Sequence, residues 1–161
     1  MSDLKSFSYK TEVRRLDNLK LFYVEIPFDV LTFFSNPEMK NIYNQRLMIS
    51  INNCDLCHGG VVSLGNQTGY ISIKGKILKD LGVHLNDEVE VYLTEDRSEY
   101  GMPFPDEVKE VLAQNPIYET FFYSLSMGKR RYVLYYVDQV KNVDKRIERA
   151  YFMLEKLMQN A

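Results

Sequence analysis

Gly69-Tyr-Ile-Ser-Ile-Lys-Gly-Lys-Ile-Leu-Lys-Asp-Leu-Gly82, continued by Val83-His-Leu-Asn-Asp-Glu-Val-Glu-Val-Tyr-Leu-Thr-Glu-Asp96, reads as strand, helical turn, tight turn and strand. Tyr70, Ile71 and Ile73 favour extended backbone, while Ile77, Leu78 and Leu81 recur at helical spacing before Gly82, a natural helix stop. Asn86-Asp87 supplies a turn, after which Val89, Val91 and Leu93 alternate with Glu88, Glu90, Tyr92 and Thr94. One face of that strand is apolar and the other wet, as in a half-buried sheet.

The same grammar occurs upstream. Residues 7–15 alternate weakly, with Phe7, Tyr9, Thr11 and Val13 on one side. Leu19-Lys-Leu-Phe-Tyr-Val-Glu-Ile26 is a stronger strand, stopped by Pro27, which cannot donate to a ladder. Phe28-Asp-Val-Leu-Thr-Phe-Phe34 is a short helical turn broken by Ser35-Asn-Pro37, and Arg46-Leu-Met-Ile-Ser-Ile-Asn52 is a further strand. Strand, short helix and strand thus appear twice, over residues 21–52 and 69–95. Two such halves can close on each other and remove their unpaired edges.

The unit resembles the half-repeat of small swapped-hairpin and double-split β-barrels, the group that includes AbrB-like and MazE-like proteins. A fold resemblance of this kind carries no function with it. The expected class is mainly β with C-terminal helices (α+β). It consists of a small double-split β-barrel with short crossing helices over residues 1–102, and an appended helical region over 103–161 packed on it.

Helical patterning takes over after Met102-Pro103. Pro105 suits a first helical position, Asp106 and Glu107 complement the helix dipole, and Val108, Val111 and Leu112 form an apolar stripe. Asn115-Pro116 ends this helix and starts another, with Ile117, Phe121, Phe122 and Leu125 as its buried face. Ser126-Met-Gly128 makes the next break. Residues 130–140 form a third helix with Val133, Tyr136, Val137 and Val140 on one side. A last helix over about 143–157, with Asn142 or Val143 near its cap, places Ile147, Ala150, Tyr151, Leu154 and Leu157 at core spacing.

At 161 residues and 45% hydrophobic content the chain can bury one sizeable core, and its formal charge of -2 gives no global reason to expect nucleic acid or membrane binding. The distribution is uneven: residues 1–128 hold 12 basic and 18 acidic groups, and residues 129–161 hold 8 and 4. The start of the chain has no apolar targeting core and no run reaches the ~18 apolar residues of a membrane span, so a cytoplasmic protein with reduced cysteines is expected.

Across its length the chain resembles a bacterial family described as bacteriocin-protection or OmpD-associated, YdeI-like proteins, which carry an N-terminal domain of unknown function. The residues that carry the resemblance are Val24-Glu-Ile-Pro27, Arg46, Ser50-Ile-Asn52, Gly69-Tyr70, Lys79-Asp-Leu-Gly82, Asp87-Glu-Val-Glu-Val91, Asp96 and Met102-Pro103. In the tail they are Phe122, Leu125, Arg130-Arg131, Lys141, Arg146 and Arg149-Ala150. Asn53 and Asn86 stand where the family pattern has glycine, and asparagine tolerates the left-handed turn both positions require. The resemblance implies a barrel with a small helical region and a link to bacteriocin or envelope-stress tolerance. It implies no catalytic residues.

Cys54-Asp-Leu-Cys57-His58 has the spacing of a c-type haem attachment site. It lies in an expected hairpin loop before a Gly59-Gly60 turn, and haem attachment belongs to exported proteins. A structural zinc site normally takes four ligands, and these three residues would need another subunit to complete one. A redox Cys-x-x-Cys normally opens a helix, and none follows here. Two loop or strand thiols without a special role is the leading reading, and no cofactor is expected. Glu88 and Glu90 suit a solvated strand face better than acid–base chemistry. No phosphate-binding glycine loop or nucleophilic triad stands out, which leans against an enzyme.

The basic tail offers the clearest surface. Arg130, Arg131, Lys141, Lys145, Arg146 and Arg149 are its candidate partner-binding residues, next to Tyr132, Tyr135 and Tyr136. They suit an unknown protein or another anionic partner. DNA binding through the barrel is disfavoured, because residues 70–100 carry four basic groups against seven acids and would repel phosphates. The expected function is a non-enzymatic binding module, with a small-molecule or metal-binding protein built on Cys54, Cys57 and His58 as the alternative.

Overall fold

The computed structural model describes residues 4–161 and divides into two compact units, one ending at Arg97 and the other spanning Ser98–Ala161. The first unit is built from β1 (Ser6–Glu12), β2 (Arg14–Leu16), β3 (Leu21–Ile26), α1 (Phe28–Phe34), β4 (Arg46–Ile51), β5 (Cys57–Gly60), β6 (Val62–Gly65), β7 (Thr68–Ile73), α2 (Gly75–Leu81) and β8 (Glu88–Glu95). Its strands pair in two four-stranded antiparallel sheets, in the orders β1-β8-β4-β5 and β2-β3-β7-β6.

The strand, helix, strand repeat is present and is longer than the sequence pattern showed. β1 and β2 are separated by Val13 alone, and β5 and β6 by Val61 alone, so each bent segment leaves the edge of one sheet and joins the edge of the other. The Val13 amide donates to the Asp87 carbonyl at 2.9 Å and the Val61 amide to the Gln45 carbonyl at 3.0 Å. These two bonds occupy equivalent places just before β8 and β4. β1 to β4 and β5 to β8 are therefore two copies of one arrangement, with β3 paired to β7 and β4 to β8 between the copies.

Alternation explains the packing. Val89, Val91 and Leu93 of β8 point inward with Ile49 and Ile51 of β4, Val24 and Ile26 of β3, and Ile71 and Ile73 of β7, all buried. Val30, Leu31 and Phe34 of α1 and Leu78 of α2 join this cluster. The Tyr9 hydroxyl, part-buried, donates to the Glu25 carbonyl at 2.7 Å and so links a strand of each sheet. Burial, followed by the charge of Glu25, pushes that phenol well above its ordinary range.

Asn53 and Asn86 adopt φ of 64° and 72°, as their substitution for glycine requires. Gly59-Gly60 is not a turn. Both residues lie in β5 opposite Leu47 and Arg46, and the chain reverses instead at Asn52-Asn53. Gly59 is needed for approach: a Cβ there would sit 2.8 Å from Cγ2 of Ile71.

The second unit contains α3 (Asp106–Gln114), α4 (Pro116–Ser124), α5 (Met127–Asp138) and α6 (Val143–Gln159). Pro105 caps α3 rather than opening it, whereas Pro116 is the first residue of α4. α5 starts at Met127, before the expected Arg130, because the Ser126 side chain accepts from the Lys129 amide. Asn142 caps α6 in the same way through Lys145. Val108, Val111, Leu112, Phe122, Val133, Leu134, Val137, Ala150, Met153 and Leu154 form the core. Ile117, expected inside, is 73% exposed because the first turn of α4 faces outward.

Candidate functional site

The last turn of a helix leaves backbone carbonyls without amide partners. In the helical unit Arg130 and Arg149 of the basic tail meet that need. Arg130 donates through Nε to the Leu125 carbonyl at 3.0 Å and through a terminal nitrogen to the Tyr123 carbonyl, closing the end of α4 with its guanidinium over the Tyr123 ring. Arg131 donates to the Tyr100 carbonyl at 2.9 Å. Arg149 reaches across from α6 to the Tyr136 carbonyl at 2.9 Å and the Gln139 side chain at 3.3 Å, where α5 ends.

Arg146 is the most committed of them. It donates to the Val140 carbonyl at 2.8 Å and forms ion pairs with Glu107 at 3.0 Å and Asp138 at 3.5 Å, with only 16% of its side chain exposed. The Glu107 carboxyl is held below its usual range, first by its own backbone amide in the first turn of α3 and then by Arg146, against an opposing effect of burial.

Lys141 and Lys145 lie outside the packing. Both are exposed, and neither has an ion pair among the described residues. Lys145 and Arg149 line a shallow groove of about 330 Å³ with Tyr136, Glu148 and Phe152. Tyr132 and Tyr135 stand one helical turn apart on α5, and they and Phe152 are each more than half exposed. The structure thus gathers Lys145 and Arg149 around Tyr136, leaves Lys141 on the α5–α6 connection, and places Arg130, Arg131 and Arg146 within the packing. Phe152 was missed in the sequence. Its spacing from Lys145 and Arg149, seven and three residues, puts all three on one helix face and was the available signal.

In the other unit, Cys54 follows the turn after β4, whereas Cys57 and His58 are consecutive residues of β5. Consecutive strand residues point to opposite faces. Cys57 sits opposite Ile49, which faces the core, and His58 opposite Met48. The His58 Nδ1 lies 2.7 Å from Oδ2 of Asp96, a carboxylate only 2% exposed. The Cys54 and Cys57 thiols turn instead to the Asp55 carbonyl, at 3.3 and 3.6 Å. The three candidate ligands of the alternative reading do not form one cluster, and no grouping of three or more metal-binding side chains occurs among the described residues.

No helix among the described residues is long and apolar enough to cross a membrane. Residues 102–160, which include all four helices of the second unit, match the model of a family described as Bacteriocin-protection, YdeI or OmpD-Associated. No curated protein matches the chain.

Proposed function

From the match of residues 102–160 to the bacteriocin-protection, YdeI or OmpD-associated family, we propose that this is a bacterial, cytoplasmic, non-enzymatic interaction module that serves bacteriocin or envelope-stress tolerance. Its contact surface is the outer face of α5 and α6, where Tyr132, Tyr135 and Phe152 flank Lys141, Lys145 and Lys156. The observation that carries this reading is the coexistence of exposed aromatic rings with lysines that form no ion pair among the described residues. Aromatic rings supply contact area at small entropic cost, and unpaired lysines favour a partner with an acidic surface.

The test is capture of partners from bacterial extract by the full chain and by a Lys141→Glu, Lys145→Glu, Phe152→Ser variant. Capture should be lost while thermal unfolding stays unchanged, and wild-type capture should weaken as salt is raised. Undiminished capture by the variant would remove this surface from consideration.

A second reading places a metal or small molecule on Cys54, Cys57 and His58. The convergence of two thiols on one carbonyl favours it, and the opposite direction of His58 leaves two of the three candidate ligands together. Metal analysis of natively purified protein separates the two readings.

A further inference from the structure

We propose that Cys54 and Cys57 are a dithiol that low-molecular-weight disulfides convert to an intramolecular disulfide across the β4–β5 turn. Both sulfurs approach one acceptor, the Asp55 carbonyl oxygen, at 3.3 and 3.6 Å, so they cannot lie farther apart than those two distances together. Both residues are part-exposed, and both are free cysteines. Cys57 is held in the sheet opposite Ile49, and Cys54 lies three residues before it, after the turn.

The local backbone holds the pair in place. The turn is fixed by left-handed Asn52 and Asn53, by the Cys54 amide donating to Ile51 at 3.0 Å, and by the Ile51 amide donating to the Cys54 sulfur at 3.3 Å. The Ser50 hydroxyl donates to the Cys54 carbonyl at 2.7 Å. The bond from the Ile51 amide fixes the Cys54 sulfur at the turn, within reach of the Asp55 carbonyl that Cys57 also approaches.

Cys57 is different. Burial first, and then the neighbouring Cys54, pushes its thiol above the ordinary range, with Lys74 opposing. Once Cys54 has reacted, its sulfur carries no charge and that part of the effect disappears. The steps balance. The Cys54 thiolate attacks one sulfur of glutathione disulfide and releases one glutathione thiolate. The Cys57 thiolate then attacks Sγ of Cys54 and releases the second. Two protein thiols are oxidised, one disulfide is reduced, and the two protons pass to the released thiolates.

Full-length protein incubated with graded mixtures of reduced glutathione and glutathione disulfide, acid-quenched and weighed intact, tests this. Wild type should lose two hydrogen masses and retain no glutathione, with peptide mapping joining Cys54 to Cys57, while Cys57→Ser should retain one glutathione on Cys54. An unmodified wild-type mass, glutathione retained on wild type without an internal bridge, or a disulfide between two chains would each overturn the proposal. The wild-type mass decides the matter even if the variant fails to fold.

Discussion

Arg149 binds Tyr136 twice, donating to its carbonyl oxygen at 2.9 Å while its guanidinium lies 4.4 Å from the centre of the same residue's ring. Backbone and side chain of one residue are thus fixed by one cation, at the point where α5 ends and its carbonyls need donors. Lysine can supply the charge but not the planar fork that does both. Arg149→Ala should cost about 1–3 kcal/mol and Arg149→Lys should recover little of it, measured by urea unfolding.

Arg146→Ala should be the more damaging change, because Glu107 and the Val140 carbonyl lose a shared partner in a mostly buried setting. A loss on the order of 2–4 kcal/mol is expected. Arg146→Ala and Glu107→Gln combined should cost less than the two single losses added together, since both remove the same pair. Additive losses would show that the pair contributes nothing of its own.

Acid should reveal Glu107. Its carboxyl is held below the usual range in the folded protein, so its stabilisation is complete above the unfolded-state value and is lost as pH falls through the folded one. Unfolding free energy should therefore decline on the acid side of the ordinary carboxylate range, and Glu107→Gln should flatten that decline. Equal acid slopes in the two proteins would contradict the assignment.

Gly59 tests the packing of the β unit. An added methyl would sit 2.8 Å from Cγ2 and 3.2 Å from Cδ1 of Ile71, inside a buried cluster, so Gly59→Ala should destabilise by about 1–3 kcal/mol. Gly59→Ala combined with Ile71→Ala, which is destabilising by itself, should cost less than the two single losses added together. A Gly59→Ala protein as stable as wild type would mean that the two strands separate easily.

Period and turn chemistry made much of this fold legible. Strand alternation placed Val89, Val91 and Leu93 inside, and Asn53 and Asn86 announced left-handed turns. Gly59-Gly60 misled because a glycine pair reads locally as a turn, whereas its reason lies with Ile71, twelve residues on from Gly59. The helix start at Met127 was hidden by the Gly128 that follows it, although Ser126 was the available cap. The basic tail was visible as charge. Its division into arginines spent on backbone carbonyls and lysines left outside depends on which carbonyls lie nearby, and that is set by packing. The exposed side of α4 at Ile117 had the same cause.

Each half of the β unit is incomplete without the other. β1 pairs only with β8, β5 only with β4, and the two central pairs, β3 with β7 and β4 with β8, likewise join one half to the other. A chain opened at the Asn52-Asn53 turn would therefore yield two fragments in each of which half of the strands, β1 and β4 or β5 and β8, lack a partner when apart, while β2 keeps β3 and β6 keeps β7. They should regain structure only on mixing, in a one-to-one complex, as two proteins do when each supplies the other's missing sheet.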